Sequence, residues 1–312
     1  MGTIYQADDL RLEGRQCALK QTGFEDGSDP IMQAQTQEQF YQEASVLARL
    51  DHPNLPKVSD FFTENGHDYL VMDYVAGQDL RELVEEARRQ DCFLEELTIL
   101  VWMEQLCDAI EHLHRQTPPI LHRDIKPANI KLTPSGNIKL VDFGLVKLMA
   151  TDDARTVTIL QGRGTVQYTP LEQYGGDTGH TDLRTDVYSV GATLYHLTTG
   201  QPPVEAKQRF LDPNSFIPPR QTNPEISIQT ERAILKAMEM HPDNRFKNVT
   251  EFLDSLLSRV DLPRSSRRRG RLVGPASWPA ALRHNLVLLL IVLIAFALAY
   301  WVSLPVPHTV IP

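Results

Sequence analysis

The feature that most constrains this chain is a polar run near its middle, His122 to Asn129, followed thirteen residues later by Asp142 at the end of an apolar run. The run supplies a carboxylate at Asp124, an ammonium at Lys126 and an amide at Asn129. Transfer of a phosphoryl group needs a group that orients a hydroxyl, a cation that meets phosphate charge, and oxygen ligands for a metal. Any one of these residues alone is usually an ordinary turn or core residue. Together and in this order they favour phosphoryl-transfer chemistry.

The letters HRDIKPAN and DFG at these positions resemble the catalytic-loop and metal-binding motifs of the protein kinase family. The resemblance implies that Asp124 accepts the proton of the substrate hydroxyl and that Lys126 contacts the transferred phosphate. It implies that Asn129 and Asp142 hold magnesium. A lysine at that spacing is typical of the serine/threonine branch. Arg123 is then placed to pair with a phosphate on the activation segment.

The first residues resemble part of the kinase ATP site. Gly2 corresponds to the last glycine of the glycine-rich loop, and Ile4 to the apolar residue over the base. Ala18 and Lys20 lie in a segment similar to the VAIK strand, whose lysine reaches the phosphates. The two earlier glycines and their strand have no counterpart. We interpret this as a start at an internal methionine or within a fragment; the alternative is a degenerate ATP site.

A helix is predicted from Glu38 to Leu50, because Phe40 and other apolar residues repeat there at helical spacing. Glu43 lies beside the apolar stripe. An isolated glutamate on a helix is usually solvated. The resemblance to protein kinases implies that Glu43 is the ion-pair partner of Lys20, and kinase activity requires this pair.

Two short β-like runs follow, Val58 to Phe62 and Tyr69 to Val75. The second passes through Met72, Asp73 and Val75 into Gly77, and this segment resembles the hinge whose backbone binds the adenine edge. Lys131 departs from the family pattern, which has an apolar adenine floor there. Its aliphatic stem is expected to pack on the floor while the amine reaches water.

The segment from Leu145 to Gly164 is polar and suits an activation segment, with Thr156 and Thr158 as candidate phosphorylation sites. An ordinary loop is the alternative. The next stretch resembles GTxxYxAPE but reads PLE. There Thr165 would line the substrate hydroxyl site, and Glu172 would form a buried, structural salt bridge with Arg245. A helix opening at Asp186 would supply a carboxylate that braces the catalytic loop.

Charge and cysteine content limit the other possibilities. From Arg264 onward there are six arginines and no acids, so the preceding body carries 25 basic and 40 acidic residues. An acidic body argues against nucleic-acid binding, which needs a basic face. The three cysteines are far apart and in no CxxC spacing, so neither a disulfide framework nor a zinc site is indicated.

The end of the chain predicts a membrane anchor. Residues 286–304 form about 19 uncharged positions, close to the length that spans a bilayer core. All the nearby arginines lie on the N-terminal side, so the positive-inside rule places the body in the cytoplasm and residues 305–312 outside. The basic linker, 261–285, is expected to favour anionic membrane lipid.

We therefore predict an α+β, bilobal protein-kinase fold with one C-terminal transmembrane helix. The small β-rich N-lobe is assigned to residues 1–75 and the helical C-lobe to 76–260. The combined pattern is similar to the membrane-bound bacterial serine/threonine kinases. This resemblance implies ATP and Mg²⁺ as cofactors and proteins with Ser or Thr as substrates. It also implies autophosphorylation, which a dimer would allow between its two copies. The alternatives are a nucleotide-binding pseudokinase scaffold and a small-molecule phosphotransferase.

Overall fold

The structure is a computed structural model, and it describes residues 3–23, 30–142, 147–148, 166–174 and 181–258. A few side chains inside these ranges, that of Glu43 among them, lie outside the description. The described residues form a small lobe built on one sheet and a larger, mainly helical lobe. The bilobal α+β architecture expected from the sequence is therefore present.

The small lobe is a four-stranded antiparallel sheet in the order β1-β2-β4-β3. Its strands are β1 (Thr3–Asp8), β2 (Gln16–Gly23), β3 (Val58–Glu64) and β4 (His67–Asp73), and the helix α1 (Pro30–Leu47) lies between β2 and β3 in sequence. The β3–β4 hairpin turns at Asn65 and Gly66, which have φ of 50° and 75°. Positive φ suits glycine and asparagine better than other residues, so the turn chemistry agrees with the sequence.

Three boundaries predicted from the sequence are wrong. The helix expected to open at Asp186 begins at Leu183, because the Asp182 side chain caps it by accepting from the Arg184 N–H. Helix α1 runs from Pro30 to Leu47 and not from Glu38 to Leu50. A proline is well tolerated in the first helical turn, where its missing N–H would have no partner, so the helix starts well before the apolar periodicity becomes visible. The strand expected to reach Val75 ends at Asp73, because the chain there leaves the sheet to enter the larger lobe.

The larger lobe is organised around two long helices, α3 (Glu96–His114) and α4 (Leu183–Thr199). The side chains of α4 are buried from Thr185 to Thr199, so this helix forms the centre of the lobe. It ends at Gly200, which adopts φ of 71°. The remaining helices are α2 (Leu80–Arg89), α5 (Ala206–Leu211), α6 (Pro219–Thr222), α7 (Ile228–Ala237) and α8 (Val249–Leu257).

Short strands position the polar run of the sequence. They are β5 (Gln78–Asp79), β6 (Ile120–Leu121), β7 (Ile130–Leu132), β8 (Ile138–Leu140) and β9 (Lys147–Leu148), paired as β5-β7-β8 and β6-β9. The run from His122 to Asn129 connects β6 to β7. It is thus held at both ends by strands, and the strand residues next to it, Leu121 and Ile130, are buried in the lobe.

In the described part of the chain, no helix combines the length and the apolar character that crossing a bilayer would require. The apolar segment predicted to span the membrane, 286–304, lies outside the described residues.

Candidate active site

The carboxylate of Asp124 is held in place by its own loop. Its Oδ2 accepts hydrogen bonds from the Lys126 amine at 2.7 Å and from the Asn129 amide at 2.9 Å. The same Asn129 amide also donates to the Asp124 carbonyl at 2.8 Å. Among the described residues no hydrogen bond engages Oδ1, so one carboxylate oxygen is oriented and available to a substrate hydroxyl. A general base needs this combination of fixed orientation and a free acceptor.

The loop is attached to helix α4 through Asp186, which is fully buried. Its two carboxylate oxygens accept the backbone N–H groups of His122 and Arg123, each at 2.9 Å. The ring of His114, at the end of α3, also lies 2.9 Å from Oδ2. Burial alone would raise the pKa of Asp186, but the His114 hydrogen bond and nearby donors outweigh it and keep the pKa below its usual value. Asp186 therefore stays ionised and braces the loop.

The small lobe contributes Lys20 to the same region. Strand β2 delivers its side chain, and the Lys20 amine is in direct contact with the Asp142 carboxylate. Burial would raise the pKa of Asp142, yet the Lys20 ammonium outweighs it and holds the pKa below the ordinary range. The contact joins a strand of the small lobe to the segment that follows β8. The side chain of Glu43, the expected partner of Lys20, lies outside the described residues.

Asn129 and Asp142 provide donors that fit magnesium, a hard cation that prefers oxygen ligands. The amide nitrogen of Asn129 is bonded to Asp124, which leaves its amide oxygen for a cation. The backbones of the two segments are joined, since Val141 N–H donates to the Asn129 carbonyl at 2.8 Å. Within the described residues no group of three or more His, Cys, Asp or Glu forms a metal site. These two side chains would thus share the ion with phosphate oxygens and water.

The predicted nucleotide-binding residues of the small lobe lie on one face of its sheet. Ile4 is directly opposite Lys20, and Ala18 is directly opposite Met72. Side chains of opposed residues, and of residues two apart in a strand, point to the same side. Ile4 is half exposed and Met72 is buried, so this face is open at one end and covered at the other.

Asp73 and Val75 follow on the connection between the lobes. The Asp73 carboxylate is engaged inside the small lobe, where it accepts from Arg15 at 3.3 Å and from the Lys57 N–H at 3.2 Å. Val75 is buried.

Gly77 brings the connection into close contact with β7. Its φ is 120°, and a Cβ built there would lie 1.9 Å from the Leu132 carbonyl oxygen, so no other residue fits. The Lys131 amine donates to the Gly77 carbonyl at 3.0 Å. This bond lies at the exposed surface, which agrees with the expectation that the amine reaches solvent, and it adds a contact with the interlobe connection.

The ion pair expected between Glu172 and Arg245 is present. It is bidentate, with nitrogen–oxygen distances of 2.6 and 3.0 Å. The Arg245 side chain is 0% exposed and that of Glu172 is 11% exposed, which places the pair inside the lobe. This burial agrees with a structural role.

Four other predicted residues cannot be placed. Gly2, Thr156, Thr158 and Thr165 lie outside the described residues. Their assignment to the glycine-rich loop, the activation segment and the substrate site stays a prediction.

The structure adds two residues that the sequence reasoning missed. His114 contacts the brace Asp186, and Thr181 accepts a hydrogen bond from the guanidinium of Arg123, the residue expected to meet a phosphate. Burial lowers the pKa of Arg123. The only signal for His114 was a histidine on the buried face of a long helix, and Thr181 carried none.

Comparison with known proteins gives the family of this chain. The family model described as the protein kinase domain matches residues 1–271. A probable serine/threonine-protein kinase of Streptomyces coelicolor is 35% identical over 80% of this chain and 37% of its own length. The serine/threonine-protein kinase PknB of Mycobacterium leprae is 32% identical over 82% of this chain and 40% of its own. The chain thus spans about two fifths of the length of these relatives.

Solved structures agree with the fold. The apo form of PpkA-294 superposes with a TM-score of 0.63 at 28% identity, covering 82% of this chain and 91% of the other. The PknI kinase domain of Mycobacterium tuberculosis gives a TM-score of 0.61 at 26% identity, covering 83% and 90%. The bilobal fold with the HRDIKPAN loop at its cleft is therefore that of these kinases, and the chain belongs to the protein kinase domain family.

Proposed function

We propose that this chain transfers the γ-phosphoryl group of ATP to serine and threonine hydroxyls of proteins, itself included. The observation that carries the proposal is the geometry of Asp124. Its carboxylate is fixed by Lys126 and Asn129, and its second oxygen has no hydrogen bond from any described residue. The curated relatives with serine/threonine kinase names support the substrate class.

Each cleft residue then has a defined task. Asp124 orients the attacking hydroxyl and accepts its proton, while Lys126, next to it, stabilises charge on the transferred group. Lys20 meets the phosphates from the small lobe. Asn129 and Asp142 would hold magnesium, and the bound ion would neutralise phosphate charge. Little covalent chemistry is required of the protein, because positioning and charge stabilisation account for most of the catalysis.

The test is magnesium-dependent transfer from labelled ATP to the full chain and to a generic basic protein, with the chain kept in detergent micelles. Asp124→Asn preserves the shape of the side chain and removes the base, so we expect the transfer rate to fall by several orders of magnitude. Asp254→Asn is the matched control, since this carboxylate is exposed on α8. It should retain the wild-type rate.

The outcomes separate the candidate functions. Full transfer by Asp124→Asn would refute the assignment of the base. Nucleotide binding without transfer in the wild type would favour a pseudokinase scaffold. Transfer to a small molecule but to no protein would favour a small-molecule phosphotransferase.

We further propose that residues 286–304 anchor the chain in the cell membrane, with the kinase lobes in the cytoplasm and the basic linker on anionic lipid. The apolar length and the one-sided arginines support this. Fractionation of cells expressing the chain should leave it in the membrane pellet after an alkaline wash, and deletion of 286–304 should release it. Full release of the intact chain would refute the anchor.

Regulation by autophosphorylation is part of the same proposal. Thr156 and Thr158 are the proposed acceptors, and dimerisation would allow transfer between two copies. Mass spectrometry of the chain incubated with ATP should find phosphate on this segment, and its rate of appearance should rise with protein concentration. A rate independent of concentration would argue against transfer between copies.

A further inference from the structure

One face of helix α4 contacts both the catalytic loop and the residues that follow the predicted activation segment. Ser189, Thr193 and His196 share this face, because they are four and three residues apart. The Thr193 hydroxyl donates to the carbonyl of Ile125, the residue after the proposed base, at 3.4 Å. The Ser189 hydroxyl donates to the Tyr168 carbonyl at 2.8 Å, and the Tyr168 hydroxyl lies 2.6 Å from Nδ1 of His196. The Tyr168–His196 pair therefore lies within one helical turn of the residue that contacts the catalytic loop.

Helix α2 lies next to the same elements. It packs against α4 and against the turn Pro127–Asn129 of the catalytic loop. Its buried side chains, Leu80 and Val84, fix its rotation. Arg81 and Arg88 are exposed beside this buried stripe, and since they are seven residues apart they share one face of the helix. Two guanidinium groups thus border the region beside the catalytic loop.

The charges of these arginines act on the Tyr168–His196 pair. Burial, and to a smaller extent the charge of Arg88, lowers the pKa of His196. Burial raises the pKa of Tyr168, and the charge of Arg81 opposes that rise. Both charges that act on this pair are therefore positive, and His196 itself stays neutral at physiological pH.

The two arginines are balanced to different degrees. Arg81 lies 3.6 Å from the Asp79 carboxylate and 4.0 Å from that of Glu85, and its side chain is 53% exposed. Arg88 forms no ion pair with any described carboxylate. The positive charge beside the pair is thus partly unbalanced, on a body that has more acidic than basic residues. An anionic group of a substrate would balance it.

A protein substrate must bring the residues around its acceptor hydroxyl into this region, because the hydroxyl has to reach Asp124. The chain's own proposed acceptor has acidic residues nearby in sequence. Asp152 and Asp153 precede Thr156 by four and three residues. In an extended chain such carboxylates lie roughly 10 to 13 Å from the acceptor. The arginines are about 10 Å apart along α2, so they can meet acidic side chains at more than one position.

We propose that Arg81 and Arg88 determine substrate specificity by binding acidic residues on the N-terminal side of the acceptor serine or threonine. This rests on the proposed function, because it requires transfer to protein hydroxyls, and it adds the substrate class. Opposite charges across the contact favour acidic substrates, and like charges disfavour basic ones.

The experiment measures kcat/KM for phosphorylation of two peptides by the full chain in detergent micelles. The first peptide spans residues 149–160 and carries Thr151→Val and Thr158→Val, so that Thr156 is its only acceptor. Its two aspartates stay in place.

The second peptide also carries Asp152→Lys and Asp153→Lys. We expect the wild-type chain to prefer the acidic peptide by about three- to tenfold, because exposed ion pairs are individually weak. High salt should reduce this ratio, since it screens exposed charges.

Variants of α2 assign the preference to its arginines. Arg81→Glu combined with Arg88→Glu should reverse the preference, because like charges then meet at the contact. Arg81→Gln combined with Arg88→Gln should bring the ratio close to one, and it serves as the second variant if the first does not fold. Arg89→Glu is the matched control, because it makes the same charge change at an exposed position of the same helix. It should keep the wild-type ratio, and thermal unfolding midpoints check that each variant is folded.

Four results would overturn the assignment. Equal kcat/KM for the two peptides in the wild type would refute the acidic preference. A preference that persists in both double variants would place its origin elsewhere in the chain. An equal change in Arg89→Glu would show an effect of overall charge alone. No transfer to either peptide would also refute the assignment, and the proposed function falls with it only if the chain fails to phosphorylate itself as well.

Discussion

The buried ion pair between Glu172 and Arg245 allows a stability prediction with a defined size. Glu172→Gln keeps the length and hydrogen-bonding shape of the side chain and removes its charge. The Arg245 guanidinium, which is 0% exposed, would then be a buried cation without its carboxylate. Thr185 would also lose a charged acceptor, because its hydroxyl lies 3.3 Å from the same carboxylate.

Breaking one side of a buried pair costs roughly 3 to 5 kcal/mol, because the remaining charge is left uncompensated. Arg245 retains part of its coordination after the substitution. Three backbone carbonyls accept from it at 2.7, 2.9 and 3.2 Å, those of Glu239, Met240 and Arg184. We therefore expect the lower end of the range, a loss of about 3 kcal/mol in the free energy of unfolding.

The assay is urea unfolding followed by circular dichroism, with the free energy extrapolated to water. Asp243→Asn is the control, because Asp243 pairs with Arg184 at 2.5 Å but is 70% exposed. Exposed pairs contribute about 0 to 1 kcal/mol. A cost for Glu172→Gln no larger than that of Asp243→Asn would refute the claim that burial gives this pair its energetic weight. A double variant, Glu172→Gln with Arg245→Met, should cost less than the sum of the two single changes.

Three further predictions follow from single contacts. Gly77→Ala places a Cβ 1.9 Å from the Leu132 carbonyl oxygen, so nucleotide binding measured by titration should be lost or the unfolding midpoint should fall sharply. Burial, and to a smaller extent the charge of Arg88, lowers the pKa of His196 from 6.5 to about 4. The unfolded chain therefore binds a proton that the folded chain does not, and the free energy of unfolding should decline as pH falls from 6.5 towards 4. Urea titrations of His196→Gln should show a weaker dependence of this free energy on pH. In the wild type the N–H groups of His122 and Arg123 each donate to a different oxygen of Asp186, and Asp186→Asn leaves only one acceptor oxygen for both. The variant should therefore slow phosphoryl transfer and lower the free energy of unfolding by about 1 to 3 kcal/mol in the same assays. A wild-type transfer rate would refute the bracing role.

The catalytic loop could be predicted because its chemistry is local. Asp124, Lys126 and Asn129 lie within six residues, and their mutual hydrogen bonds follow from that spacing once the loop is closed between two strands. The bilobal fold was expected from the resemblance to the protein kinase family, whereas hydrophobic periodicity indicated only which single segments form strands or helices.

Contacts between distant segments were harder to predict. Lys20 and Asp142 are 122 residues apart, and their contact depends on how the two lobes close on each other. Periodicity fixes which face a residue occupies in its own element, but it carries no information about the partner on another element. The sequence therefore identified both charged groups and paired Lys20 with Glu43, whose side chain the described residues do not include.

Lys131 shows what a departure from a family pattern can and cannot indicate. The sequence marked it as unusual because a charged residue replaces an apolar one, and it suggested solvation because a lysine amine normally reaches water. The structure leaves the amine at the exposed surface and adds a backbone partner, which is within reach because Gly77 lacks a side chain. Its backbone packs directly on β7, which brings the Gly77 carbonyl within 3.0 Å of the Lys131 amine. The glycine and the lysine are therefore coupled, and any residue larger than glycine at position 77 would move the carbonyl that now holds the ammonium.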